Sequence, residues 1–179
     1  MNYAAERERF AKHLEGTRWT IDYAIRSDVM KAMCIEFKGC ERILELGAGY
    51  SSYCLRQMCD DVTSFDHDIM YAECVERYMY GRKLERAYVG LIADMKMDMR
   101  VWGNTCHMGR YDGILVDHGP DMTDRIYDMH TIIKCLAPGG VIIMDDYKGA
   151  YKQQVQLPGF HIQTHHIGSR HWGVARRAT

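Results

Sequence analysis

The stretch ILELGAGYSS, Ile43 to Ser52, sets a carboxylate inside an aliphatic run, follows it with two glycines one residue apart and closes on two serines. A short aliphatic run broken by glycine reads as a buried strand that ends in a tight turn, with a helix opening beyond it. The same rhythm continues outward. RILELG (42–47), VTSFDH (62–67), AYVGLIAD (87–94), YDGILVD (111–117) and GVIIMDD (140–146) read as strands, with helical spacing between them. Continuous aliphatic residues, as in Ile114 to Val116 and Val141 to Met144, belong on strands covered on both faces, which requires a parallel sheet with helices on either side. FHIQTHHIGSRHWGVARR (160–177) differs: it alternates on both sides of Gly168 and Ser169 and predicts an antiparallel hairpin closing the sheet. Ahead of the first strand, SDVMKAMCIEFKG predicts a helix, with apolar residues at Val29, Met33 and Phe37, Ser27 as its cap and Gly39 as its stop.

Bulk properties bound what such a fold can do. At 179 residues the chain is too short for two ordinary domains, so a single α/β domain is expected, with a helical segment over 1–39 and the sheet over 40–179. The formal net charge is −1, which leaves no global field to draw the protein onto phosphate backbones or anionic lipid. The opening MNYAAERERFAKHLEG is charged throughout, and no uncharged stretch reaches membrane-spanning length, so a soluble, cytoplasmic protein is expected. Seven cysteines without a CxxC pair, four of them in helical patterns (Cys34, Cys54, Cys74 and Cys135), predict reduced thiols.

In an open parallel sheet, ligands bind beyond the carboxyl ends of the strands where the winding reverses, and a glycine turn into a helix offers backbone N–H groups there. Gly47 and Gly49 mark that turn. Dinucleotides and S-adenosylmethionine both use it, and the sequence discriminates between them. The third glycine of a GxGxxG fingerprint would fall at position 52, where Ser52 stands. Glu45 is a poor neighbour for a pyrophosphate and a good one for a cationic ligand. Asp66 ends the next strand, where a carboxylate can accept hydrogen bonds from both hydroxyls of an adenosine ribose.

ELGAGYSS followed by VTSFDHD resembles the Rossmann-like class I S-adenosylmethionine-dependent methyltransferases. The resemblance runs from about Ser27 to the closing hairpin and implies a three-layer fold around a mostly parallel seven-stranded sheet with a C-terminal antiparallel hairpin. It also implies that Gly47, Ala48 and Gly49 line the methionine part of the cofactor, that Asp66 holds the ribose and that Asp94 lies near the adenine, with Ser51, His67 and Asp117 as further cofactor-binding residues. A side chain at position 47 is expected to occupy space that the cofactor approaches.

VDHGPD and IIMDDYKG place Asp117, Asp145 and Asp146 at the carboxyl edge of the sheet, beside the position of a transferable methyl. Crowded carboxylates must hold protons, gain cationic partners or bind a divalent metal. A hard cation there would lower the pKa of a substrate hydroxyl. One acid after the fourth strand and Asp-Asp-Tyr after the fifth resemble the metal-dependent O-methyltransferases, of the catechol and sugar-hydroxyl types, and imply Asp117, Asp145 and Asp146 as ligands of magnesium or another divalent cation. Pairing of these acids with Arg125 or Lys148 is the competing arrangement. Candidate proton acceptors are Asp117, His118 beside it and Lys148 past the acidic pair.

The expected acceptor is therefore a hydroxyl of a small molecule or sugar. A nucleic-acid or protein methyltransferase of the same fold ranks lower, because DHGP offers no aromatic platform for a flipped base. A non-catalytic subunit that only holds S-adenosylmethionine is a third reading, and a second copy of the chain completing the pocket stays open. Trp19 and Tyr23 sit where such folds carry a lid, yet aromatic residues at helical spacing are ordinarily packing. The histidines of the hairpin, His161, His165, His166 and His171, alternate between its two faces and are expected at the surface.

Overall fold

The protein is described by a computed structural model over residues 1–84, 89–91, 110–118, 122–155 and 157–178. In chain order its elements are α1 (Tyr3–Leu14), a 3-10 turn (Ile21–Tyr23), α2 (Ser27–Glu36), β1 (Arg42–Leu46), α3 (Tyr50–Arg56), β2 (Asp61–Asp66), α4 (Ile69–Gly81) and β3 (Val89–Leu91), then β4 (Tyr111–Val116), α5 (Met122–Cys135), β5 (Leu136–Asp145), α6 (Gly149–Gln154), β6 (Phe160–Ile167) and β7 (Arg170–Arg177). The strands form one seven-stranded sheet in the order β3-β2-β1-β4-β5-β7-β6. β1 to β5 run parallel, while β7 enters antiparallel beside β5 and β6 antiparallel beside β7. The strand rhythm implies a parallel sheet covered on both faces and closed by an antiparallel hairpin, and the resemblance implies seven strands; both are present.

Strand alternation divides the core in two. Ile43, Leu115, Ile143 and Val174 face one side, where Phe10, Val29, Met33, Leu55 and Met79 of α1 to α4 cover them. Leu44, Ile114, Val116, Ile142 and Met144 face the other, under Met129 and Ile132 of α5 and Tyr151 of α6. Both sets are almost wholly buried, which is why β1, β4 and β5 carry continuous aliphatic runs rather than alternation. The hairpin turns at Gly168, which takes φ +60, and Ser169. The helix expected ahead of β1 is present and ends before Gly39, at φ +90. Its N-cap is Arg26 rather than Ser27, because Arg26 grips Asp28 through two hydrogen bonds while Asp28 accepts the Val29 N–H, and Ser27 becomes the first helical residue.

β1 and β4 are neighbours in the sheet although the chain visits β2 and β3 between them, so the winding reverses at their junction. Two hydrogen bonds extend the pairing past the strand ends: Gly47 N–H donates to the Phe65 carbonyl (2.9 Å) and Asp117 N–H to the Leu46 carbonyl (2.8 Å). The first glycine bend and the loop after β4 are thereby pressed together at the switch point. No helix among the described residues is long and apolar enough to cross a membrane. The six cysteines among them are free.

Candidate active site at the switch point

A cavity of about 470 Å³ opens at this junction. Its floor is the turn from Gly47 to Ser51, its walls are the ends of β2 (Asp66, His67) and β4 (Asp117, His118), and its roof is the segment from Trp19 to Ile25. Asp146 and Arg170 complete one side, and Tyr71 of α4 the other.

The turn is built so that its amides point inward. Gly47 N–H is taken by Phe65, Ala48 N–H donates to Asp66 Oδ2 (3.0 Å), and Gly49 N–H donates to Ser52 Oγ (3.1 Å). None of these three donors is left for a pyrophosphate, so the backbone expected to be open at the glycine turn is in fact consumed by the fold. Gly47 takes φ +93, and a Cβ on it would overlap the carbonyl of Asp117 and lie 2.8 Å from the His118 nitrogen. Gly49 is extended, and a Cβ there would meet only Tyr71 Oη at 3.5 Å and Ser51 Oγ at 3.7 Å, both at the cavity wall.

Glu45 is fully buried beneath this turn and is not among the residues lining the cavity. Its Oε2 accepts from Ser52 Oγ (2.6 Å) and from Ser64 Oγ, and Arg56 Nη1 donates to Ser64 Oγ (2.8 Å). Burial pushes the Glu45 carboxyl up, and Arg56, with Ser51, Ser52 and Ser64, pulls it back. Because Ser52 also accepts the Gly49 N–H, the carboxylate holds the bend from below. Sequence alone placed it against the ligand; the side chain faces the helical layer instead.

Asp66, 4 % exposed, stands at the wall with each oxygen accepting one N–H, Oδ2 from Ala48 and Oδ1 from Asp68 (2.9 Å). A carboxylate offers about four lone-pair sites, so acceptor capacity remains on both oxygens. Burial, the largest influence, raises its pKa above the ordinary carboxylate range; the Asp68 N–H, His67 and the Ala48 N–H act in the opposite sense. A carboxyl raised in the fold contributes stability that is fully present below its unfolded pKa and is lost as pH rises through the folded value. The melting temperature of wild type relative to Asp66→Asn is therefore expected to be highest below about pH 4 and to fall as pH rises from there toward neutrality. A relative stability that climbs over the same window would show the opposite shift.

The remaining expected site residues divide. Asp117 and the buried His118 line the cavity together. Ser51 and His67 line it too, with His67 Nδ1 3.4 Å from Asp66 Oδ1. Lys148 lies outside, its side chain half exposed and its Nζ 3.9 Å from Asp146 Oδ1. Asp94 falls outside the described residues, as does the side chain of Arg125. Asp145 is buried at the end of β5 and does not line the cavity, whereas Asp146 does, held in left-handed backbone at φ +53 with Oδ1 3.3 Å from Arg170 Nη1. Among the described residues no three His, Cys, Asp or Glu side chains converge as a metal-binding group. The three carboxylates thus do not fit the divalent cation expected of them, since one faces an arginine and one is withdrawn from the cavity.

Sequence reasoning missed most of the roof. Trp19 lies against Tyr71 with ring centroids 5.3 Å apart, and Arg18 reaches Asp68 Oδ2 (2.6 Å). Arg7 of α1 holds the Ile21 and Ile25 carbonyls (2.8 and 3.3 Å). Asp22 and Arg170, 148 positions apart, meet at the rim, and no local pattern links them. Among the described residues the cavity wall carries five aspartates, at 22, 66, 68, 117 and 146, against one arginine, an environment that favours a cationic ligand.

The family model described as a methyltransferase domain matches residues 44–147. No curated protein matches the chain. Among solved structures it is similar to the O-methyltransferase TomG of Streptomyces achromogenes, involved in tomaymycin synthesis and in complex with SAM, at 16 % identity and a TM-score of 0.72, with 97 % of this chain and 90 % of TomG covered. An O-methyltransferase from Bacillus cereus in complex with SAH gives 16 % identity and a TM-score of 0.72, covering 99 % and 91 % of the two chains. An SAH-bound methyltransferase of Podospora anserina gives 13 % identity and a TM-score of 0.74, covering 100 % and 89 %. At these identities the likeness is one of fold.

Proposed function

The chain belongs to the methyltransferase domain family, and from that premise we propose that it transfers a methyl group from S-adenosylmethionine to a hydroxyl of a small molecule or sugar. The observation that carries this reading is the switch-point cavity, with its inward-turned amides below and Asp66 with spare acceptor capacity at its wall. Such a floor has no use for a pyrophosphate and suits a ligand that is cationic and carries a ribose diol.

When bound, S-adenosylmethionine supplies an electrophilic methyl on a sulfonium centre. Asp66 accepts the ribose hydroxyls, and Gly49 leaves room for the donor beside Ser51 and Tyr71. On the acceptor side, the hydroxyl oxygen that would take this methyl must give up its proton. The hydroxyl proton passes to the pair at the end of β4, where Asp117 and His118 both reach the cavity. Lys148 stands outside the wall, with its Nζ 3.9 Å from Asp146 Oδ1.

Calorimetry with S-adenosylhomocysteine tests the donor half directly, and the expected result is saturable one-to-one binding. Absence of binding at millimolar concentration would overturn the proposal. Asp66→Ala is expected to weaken that affinity roughly 10- to 100-fold, the range set by about 1.5 to 3 kcal/mol for a charge-assisted hydrogen bond. Unchanged affinity in a folded variant would remove Asp66 from the ribose.

A further inference from the structure

Arg170 is the point at which three distant parts of the chain meet. It opens β7 directly after the hairpin turn, Nη1 lies 3.3 Å from Asp146 Oδ1 after β5, and Nη2 lies 3.3 Å from the carbonyl oxygen of Asp22 in the roof. The hairpin tip also comes close to the N-cap of α2, since a Cβ at Gly168 would lie 3.4 Å from Arg26 Nη1. Asp146 is held in left-handed backbone, a conformation that a non-glycine residue keeps only when its surroundings enforce it.

We propose that Arg170 is a positioning residue that serves as the built-in cation of the acceptor side, neutralising Asp146 and tying the roof segment 19–25 over the cavity, so that the site takes no divalent metal. The position of the cation in the reaction rests on the methyl-transfer reading; the contacts do not. A metal at Asp146 would have to displace the guanidinium, and that displacement would also release the Asp22 carbonyl. Asp145 gives no compensating ligand, because it is buried and does not line the cavity. A planar guanidinium can hold a carboxylate and a backbone carbonyl at once, which an ammonium group on a flexible stem does less well.

The test uses the full chain saturated with S-adenosylhomocysteine. Titration with Mn2+, followed through the paramagnetic signal of the free ion, is expected to give no stoichiometric binding tighter than about 1 mM. One equivalent bound more tightly, and lost in Asp146→Asn, would overturn the proposal. In Arg170→Gln, amide hydrogen exchange over residues 19–25 is expected to speed up roughly 3- to 10-fold while β1 and β4 stay protected. Arg170→Lys should restore part of the protection. Exchange over 19–25 that is unchanged in Arg170→Gln would remove the tie to the roof. Where wild type fails to bind S-adenosylhomocysteine, the donor assignment falls, while metal titration and exchange on the unliganded chain still decide the role of Arg170.

Discussion

Gly47→Ala is expected to cost the fold about 2 to 6 kcal/mol, the sum of roughly 1 to 3 for a left-handed non-glycine residue and roughly 1 to 3 for overpacking. Gly47→Val should do more damage still. The site at φ +93 is one that side chains rarely adopt, and the added Cβ would run into the Asp117 carbonyl and the His118 nitrogen, which are backbone atoms with no flexible end to move aside. Relief requires parting the first bend from the loop after β4, and with it the hydrogen bond from Asp117 N–H to the Leu46 carbonyl. In a domain whose whole stability is about 5 to 15 kcal/mol, the variant would sit close to unfolding. Chemical denaturation reads the effect, with Gly49→Ala as the partner measurement. That glycine is extended and its added methyl meets only ordinary contacts at the cavity wall, so folding should hold while S-adenosylhomocysteine affinity falls. A stable Gly47→Ala would mean that the strand ends are less tightly joined than the contacts imply.

The contrast between the two glycines marks what can be read from sequence. ELGAGYSS identifies a bend at the switch point because two glycines one residue apart after a buried aliphatic run mark a tight turn, and the aliphatic runs of β1, β4 and β5 point to a parallel sheet by the same local logic. What the run cannot carry is the reason for each glycine. Gly47 lies in the cavity floor, yet a side chain on it would meet Asp117, a residue 70 positions away, before it met a ligand. The roof shows the same limit. Trp19 is paired with Tyr71 from α4 and Asp22 with Arg170 from the last hairpin, contacts set by tertiary closure, so no spacing in the chain announces them. Asp117 and Asp146 were legible as strand-end acids reaching the cavity edge, since β-strand direction alone places them there. Which partner each acid takes, metal or guanidinium, depends on where Arg170 lands, and a hairpin turn of Gly168 and Ser169 does not encode it.

Glu45→Ala is expected to be the second severe change, and its signature separates support of the bend from direct contact with a ligand. Removing the carboxylate strands the Ser52 and Ser64 hydroxyls and takes from Arg56 the larger of its two carboxylate influences, Glu45 ahead of Glu76. Breaking a buried charged arrangement from one side costs about 3 to 5 kcal/mol, which for a chain of this size lowers the melting temperature by roughly 2 to 4 °C per kcal/mol. Arg56 keeps hydrogen bonds to the Ser52 and Val62 carbonyls and to Ser64, so the lower half of that range applies. Glu45→Gln retains an oxygen that both serines can reach and should cost less. If Glu45 works through Ser52 on the Gly49 amide, Ser52→Ala and Glu45→Ala will be non-additive, because each removes the same support, and the double-mutant cycle measures that coupling. Affinity for S-adenosylhomocysteine should then track stability: nearly intact in Glu45→Gln, reduced in Glu45→Ala together with the melting temperature. A Glu45→Gln variant that melts like wild type yet loses the ligand would place the carboxylate in contact with the donor after all, and the bend would have to be held by Ser52 and Ser64 without it.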